Sequence, residues 1–159
     1  MVSLEPALVA RIAENMPKGV KVFSAADLAG VREAAQHTPA VHVIYDGYRV
    51  VQADGAAAEI ETSWLTVLAV RNARAQKTGG AAREDAAKLV SSLYGSLAGW
   101  LPPGCVRELE LANAPRPGFD AGFLYLPLAW SARQLLVGGV AGEGVEVLLQ
   151  TVTFKGDVE

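Results

Sequence analysis

The run from Ala58 to Arg71 constrains the fold more than any other stretch of the chain. Ile60, Thr62, Trp64, Thr66, Leu68 and Val70 alternate with Glu59, Glu61, Ser63, Leu65, Val67 and Ala69. Period-two alternation rich in β-branched residues predicts a strand. Up to about Ser63 one face is acidic, and beyond it both faces are apolar. The expected strand therefore starts at a solvent edge and ends buried on both sides.

Its neighbours are expected to be strands as well. Val41, Val43 and Tyr45 alternate with His42 and Ile44. Asp46-Gly47 predicts a two-residue hairpin, because both residues tolerate positive φ, and Tyr48 to Gln52 is then the return strand. Asp54-Gly55 marks a second turn, so the region is expected to be a meander. Val106 to Leu111 suits a half-exposed strand. Ala112 to Gly118, with two prolines, is a loop. Phe123 to Val137 is expected to be extended, with a helical turn over Ser131 to Leu136 as the alternative.

Three helices complete the pattern. Leu4, Leu8, Ile12 and Met16 form an apolar stripe from Ser3 to about Met16, with Ser3 as N-cap and Pro6 in the first turn. Ser24-Ala25-Ala26-Asp27 matches a capping box, with Phe23 and Leu28 placed for a hydrophobic staple. That helix is expected to run to about Gln36. Ala82 to Leu97 is expected to be helical, with Ala86, Val90, Leu93, Leu97 and Trp100 stepping along one face and Glu84 and Asp85 near its positive end. Together these elements predict an α+β fold: a mostly antiparallel sheet with helices packed mainly on one face. Residues 1–137 form the expected domain, and 138–159 a C-terminal extension whose pattern fits a strand or a helix.

A chain of 159 residues that is 51% hydrophobic and 19% charged suits one domain rather than a disordered segment. The net charge of −3 shows no basic excess, so direct nucleic-acid binding is not expected. Apolar runs break well before the ~18 residues that span a bilayer, and no basic stretch precedes the first apolar one. Neither a membrane partner nor a secretory signal is expected, which fits cytoplasmic synthesis. Cys105 is the only cysteine, which rules out an internal disulfide and a Cys-rich metal site.

Chemistry finds little support. His37 and His42 are the only histidines, and their spacing matches no usual metal pair. Asp46 has a turn role, and Cys105 lacks a nucleophile signature. Gly138 to Gly144 is glycine-rich but lacks the GK[ST] ending of a phosphate-binding loop. No catalytic, cofactor-binding or metal residue is assigned. Arg71, Arg74, Lys77, Arg83 and Lys88 gather around one loop and the helix after it. A solvated face accounts for such a run; a charged rim that docks on an acidic partner is the functional alternative. Glu59 and Glu61, at the other end of the long strand, are the complementary candidates. Glu59, Glu61, Arg71, Arg74, Lys77 and Arg83 are thus the candidate interface with another subunit or a partner protein.

The order of elements, with Pro39-Ala40-Val41-His42-Val43, Leu97-x-x-Trp100 and Phe123-Leu124-Tyr125-Leu126-Pro127-Leu128-Ala129-Trp130, resembles the phage tail-terminator (tail-completion) family. That family includes minor tail proteins of lambda-like phages and Mu-like prophage proteins. The resemblance covers residues 1 to 137. It implies a six-fold ring on the end of the tail tube that stops tube polymerisation and receives the head-side connector. The implied partners are further copies of the chain, the tail tube protein and the connector protein, with no cofactor and no catalysis. The implied location is the host cytoplasm during assembly and then the virion tail. A small ligand-binding domain or enzyme with a tryptophan-lined pocket, or a bacterial oligomer unconnected with virions, are the alternatives.

Overall fold

In a computed structural model, residues 3–33, 37–71 and 80–139 are described. The order is α1 (Glu5–Asn15), β1 (Lys21–Ser24), α2 (Leu28–Glu33), β2 (Ala40–Asp54), β3 (Ala57–Arg71), α3 (Gly80–Leu97), β4 (Glu110–Ala112), β5 (Gly118–Asp120) and β6 (Phe123–Val137). The strands form one sheet in the order β1-β2-β3-β6-β4, with β5 paired to β6. All pairs are antiparallel except β1 with β2. The fold is the α+β arrangement expected, with a mostly antiparallel sheet.

The long strand lies where its apolar half demands, in the middle. β3 pairs with β2 along one side and with β6 along the other, from Ala57↔Val137 to Arg71↔Phe123. Its acidic half is not at a solvent edge, because Glu59 is buried. Trp64 and Leu68 face α1 and α3, where they join Leu4, Leu8, Ile12, Leu93, Leu97 and Trp130 in the main core. Leu65, Val67 and Ala69 face the other way and pack with Val31 of α2, Ile44 and Tyr125. Each fully buried aliphatic side chain contributes about 1.5–3 kcal/mol of transfer free energy. Arg11 ties the two larger helices together: its Nε donates to the Ser96 carbonyl at 2.9 Å, and its guanidinium lies 5.4 Å from the Trp100 ring centre.

Several local expectations need correction. Asp46-Gly47 makes no hairpin; β2 continues through it. Tyr45 pairs with Trp64 and Tyr48 with Thr62, so Asp46 and Gly47 together oppose Ser63 alone, as a β-bulge. Gly47 has φ +90°, so the positive-φ tolerance that suggested a turn serves the bulge instead. The reversal comes at Asp54-Gly55, where Asp54 pairs with Ala57. The cap of α2 is Asp27 rather than Ser24: its Oδ1 accepts from the Gly30 N–H at 2.9 Å, while Ser24 ends β1. Phe23 stacks on His42 and Leu28 is exposed, in place of a staple. The expected continuation of α2 over residues 34–36 lies outside the described residues.

At the N-terminus, Leu4 occupies the cap position of α1 with no side-chain cap bond, so Ser3 has no capping role. α3 starts at Gly80, which moves Glu84 and Asp85 out of the first turn. Strand pairing over the expected Val106 to Leu111 strand is confined to β4, preceded by a single bridge between Cys105 and Gln134. β5 was not expected. It turns into β6 through Ala121 and Gly122, both at positive φ, which is the backbone a tight hairpin requires. Ser131 to Leu136 is strand, not helix. Beyond Gly139 the C-terminal segment lies outside the described residues.

Candidate functional site

The register of β2, β3 and β6 brings four charged side chains into a row on one face. Arg49, Glu61 and Arg133 are cross-strand neighbours, and Glu59 lies two residues along from Glu61. Arg49 Nε donates to Glu61 Oε1 at 3.1 Å and Arg49 Nη2 to Oε2 at 3.2 Å. Arg133 reaches both acids, with Nη1 3.3 Å from Glu59 Oε1 and Nε 3.5 Å from Glu61 Oε2. The two acidic candidates are therefore already engaged by arginines of their own chain. Glu59, with 5% of its surface exposed, is a poor contact for another subunit, whereas Arg49 stays largely exposed.

At the other end of β3, Arg71 is exposed and its guanidinium lies 5.9 Å from the Phe123 ring centre. Arg74 and Lys77 fall outside the described residues. Arg83 is in α3, and its side chain also falls outside them. The structure thus separates Arg71 from the acids by the length of β3, about 40 Å for a fully extended run. Sequence reasoning missed Arg49 and Arg133, because only the strand register reveals what they face.

The residues weighed for chemistry do not converge. His42 is buried beside Phe23, ring centres 5.4 Å apart, and its Nε2 has no hydrogen-bond partner among the described residues. Burial, with the neighbouring His37 charge second, holds its pKa below the ordinary histidine value. Cys105 packs on the other side of the sheet, against the main core, and burial pushes its thiol up to about 11. Asp46 sits in the β2 bulge. Among the described residues no group of His, Cys, Asp and Glu could hold a metal ion, and no helix is long and apolar enough to cross a membrane. A cavity of about 90 Å³ under α2 is lined by Leu28, Val31, Val67, Tyr125 and Pro127 among others, and a wider one of about 400 Å³ lies by Pro39, Val70 and Leu89. Tryptophan lines neither.

Trp64 and Trp130 are structural. Trp64 Nε1 donates to Thr62 Oγ1 at 3.1 Å, and Trp130 Nε1 donates to Thr66 Oγ1 at 3.0 Å. Both indoles are thereby satisfied inside the core, as buried Trp requires.

These features define an open, mostly antiparallel sheet domain with its principal helices on one face. The chain belongs to the phage tail terminator family, whose description "Phage tail terminator protein" it matches over residues 4–136. It is accordingly a phage tail structural protein with a part in virion assembly. Among solved structures it is similar to a chain of the "Virion of native gene transfer agent (GTA) particle", with 18% identity, a TM-score of 0.44, and 82% of this chain and 84% of that chain covered. No curated protein sequence matches it.

Proposed function

We propose that copies of this chain close into a ring, six-fold in the simplest case, that caps the tail tube, ends its polymerisation and presents the joining surface for the head-side connector. The observation that carries this reading is membership of the tail terminator family over residues 4–136. A ring needs a heterologous interface, in which one patch meets a different patch on the next copy. A sheet with two dissimilar edges suits that requirement. Assembly takes place in the host cytoplasm and ends in the virion tail, and no catalysis is part of the role.

Of the six candidate interface residues, Arg71, Arg74, Lys77 and Arg83 are the better probes, because Glu59 and Glu61 also hold the sheet together. Complementary charge of this kind sets register and encounter, while apolar burial supplies most of the affinity. Sedimentation of the full chain is the direct test. A ring predicts a particle several times the 16.7 kDa chain mass, six-fold in the simplest case, and shorter polymers when it is added to tube protein. A chain that stays monomeric at high concentration, and leaves tube length unchanged, would overturn the reading.

A further inference from the structure

The outer edge of β2 is covered for only part of its length. β1 pairs with Ala40 to Val43, and from Ile44 to Asp54 no strand among the described residues lies against it. Tyr45, Tyr48 and Val50, opposite Trp64, Thr62 and Ile60, stand on the face that carries α1 and α3. They are 40%, 62% and 55% exposed. Arg49 projects from the opposite face, beside Glu61. An edge of unpaired backbone flanked by exposed apolar side chains is a template for another strand.

The far edge of the sheet is its complement. Among the described residues β4 pairs with β6 only, and all three of its residues are exposed. Leu111, opposite Trp130 and 51% exposed, stands on the same face as Tyr48 and Val50. Glu110 stands on the face of Arg49 and has no ion pair among the described residues. Joining these edges sets apolar against apolar on one face and Arg49 against Glu110 on the other. β4 also lies near the height this needs. Leu111 is level with Trp130, Trp64 and Tyr45, and Tyr48 faces Thr62 two residues along β3, so a small stagger between copies sets Tyr48 opposite Leu111 and Arg49 opposite Glu110.

Strand direction agrees. β2, β3, β6 and β4 alternate, so β4 runs opposite to β2. A neighbour presented in the same orientation therefore brings its β2 antiparallel to β4, and the relation repeats from copy to copy. We propose that the uncovered edge of β2 in one copy pairs antiparallel with β4 of the next, making one sheet continuous across subunits. This rests on the ring reading above and names the surface that closes it.

The test places cysteines at both edges, Tyr48→Cys with Leu111→Cys, in a Cys105→Ala background. Within one chain the two sites are three strand spacings apart, roughly 14 Å. A disulfide needs Cα atoms within about 7 Å, so an intrachain bond cannot form. Mild oxidation is expected to give a ladder of covalent oligomers that neither single-cysteine chain gives. Val50→Lys and Leu111→Lys, both at exposed positions, are expected to leave the monomer's melting unchanged and weaken association at least tenfold. An oligomer that yields no ladder and ignores both lysines overturns the edge pairing while leaving the ring reading intact. A wild-type chain that is monomeric, together with a two-cysteine variant that yields no ladder, overturns both. If the thiol introduced by Tyr48→Cys is protected from alkylation within a monomer, the edge is covered by the chain's own remaining segment, which also overturns the pairing.

Discussion

Glu59 and Arg133 form an ion pair across two central strands, Nη1 to Oε1 3.3 Å, with the Glu59 side chain 7% and the Arg133 side chain 24% exposed. Breaking such a pair from one side leaves a charge without a partner in a place water barely reaches. Arg133→Met is expected to destabilise the fold by about 3 kcal/mol. Glu59→Leu combined with Arg133→Met is expected to recover most of that loss, since an apolar pair fits the same space. Urea unfolding of the two single variants and the double variant measures the coupling. Additive losses would show that the pair contributes nothing beyond its separate side chains.

His42 makes stability depend on pH. Its folded pKa lies below the ordinary value of 6.5, chiefly through burial. The unfolded chain therefore takes up the proton first as pH falls. The stability that neutral His42 provides is fully present above about pH 6.5 and is lost as pH drops toward the folded value. His42→Phe keeps a ring against Phe23 and removes the titration. Denaturant midpoints at about pH 7.5 and pH 5 are expected to diverge for wild type, and to draw closer together for this variant.

Cys105 is expected to be slow toward alkylating reagents. With its thiol pushed up to about 11, little thiolate forms near pH 8. Labelling of the native chain is expected to run on the order of a hundredfold slower than labelling in denaturant. Equal rates in both states would mean that the bridge to Gln134 opens freely.

Ala121 holds the β5–β6 turn at φ +48°, beside Gly122 at +84°. A side chain in the left-handed region costs about 1–2 kcal/mol that glycine does not incur. Ala121→Gly is expected to raise stability by up to about 1 kcal/mol, after the entropy glycine adds to the unfolded chain. A thermal melt of the single variant checks the sign.

β3 and α3 were legible in the sequence because their signals are long. The fifteen-residue β3, alternating as far as Ser63 and rich in β-branched residues beyond it, and the Ala86–Val90–Leu93–Leu97 stripe each extend far enough to outweigh the alternatives. Short signals misled. Asp46-Gly47 supplies positive φ equally well to a hairpin or a bulge, and only the tertiary pairing of Tyr48 with Thr62 decides between them. Ser24 and Asp27 are both good caps, and the choice fell to whichever residue was not already held in β1. The charge row was legible only as acids: Arg49 and Arg133 sit 12 and 74 residues from their partners Glu61 and Glu59. No local pattern joins such distant positions.

The placement of β6 beside β3 also has a consequence in time. Thr62 bonds to the Ala132 carbonyl 70 positions further on, whereas β2 and β3 meet through a tight turn. Closing so long a loop costs entropy before the contacts that reward it exist, so the centre of the sheet forms late. On the ribosome, β3 must wait with one flank open while α3 and the proline-bearing loop are made. A nascent chain at that stage exposes an apolar strand edge to every other nascent chain nearby. Expression at lower temperature, or slower synthesis, should therefore favour native yield over aggregation for reasons unrelated to the stability of the finished fold.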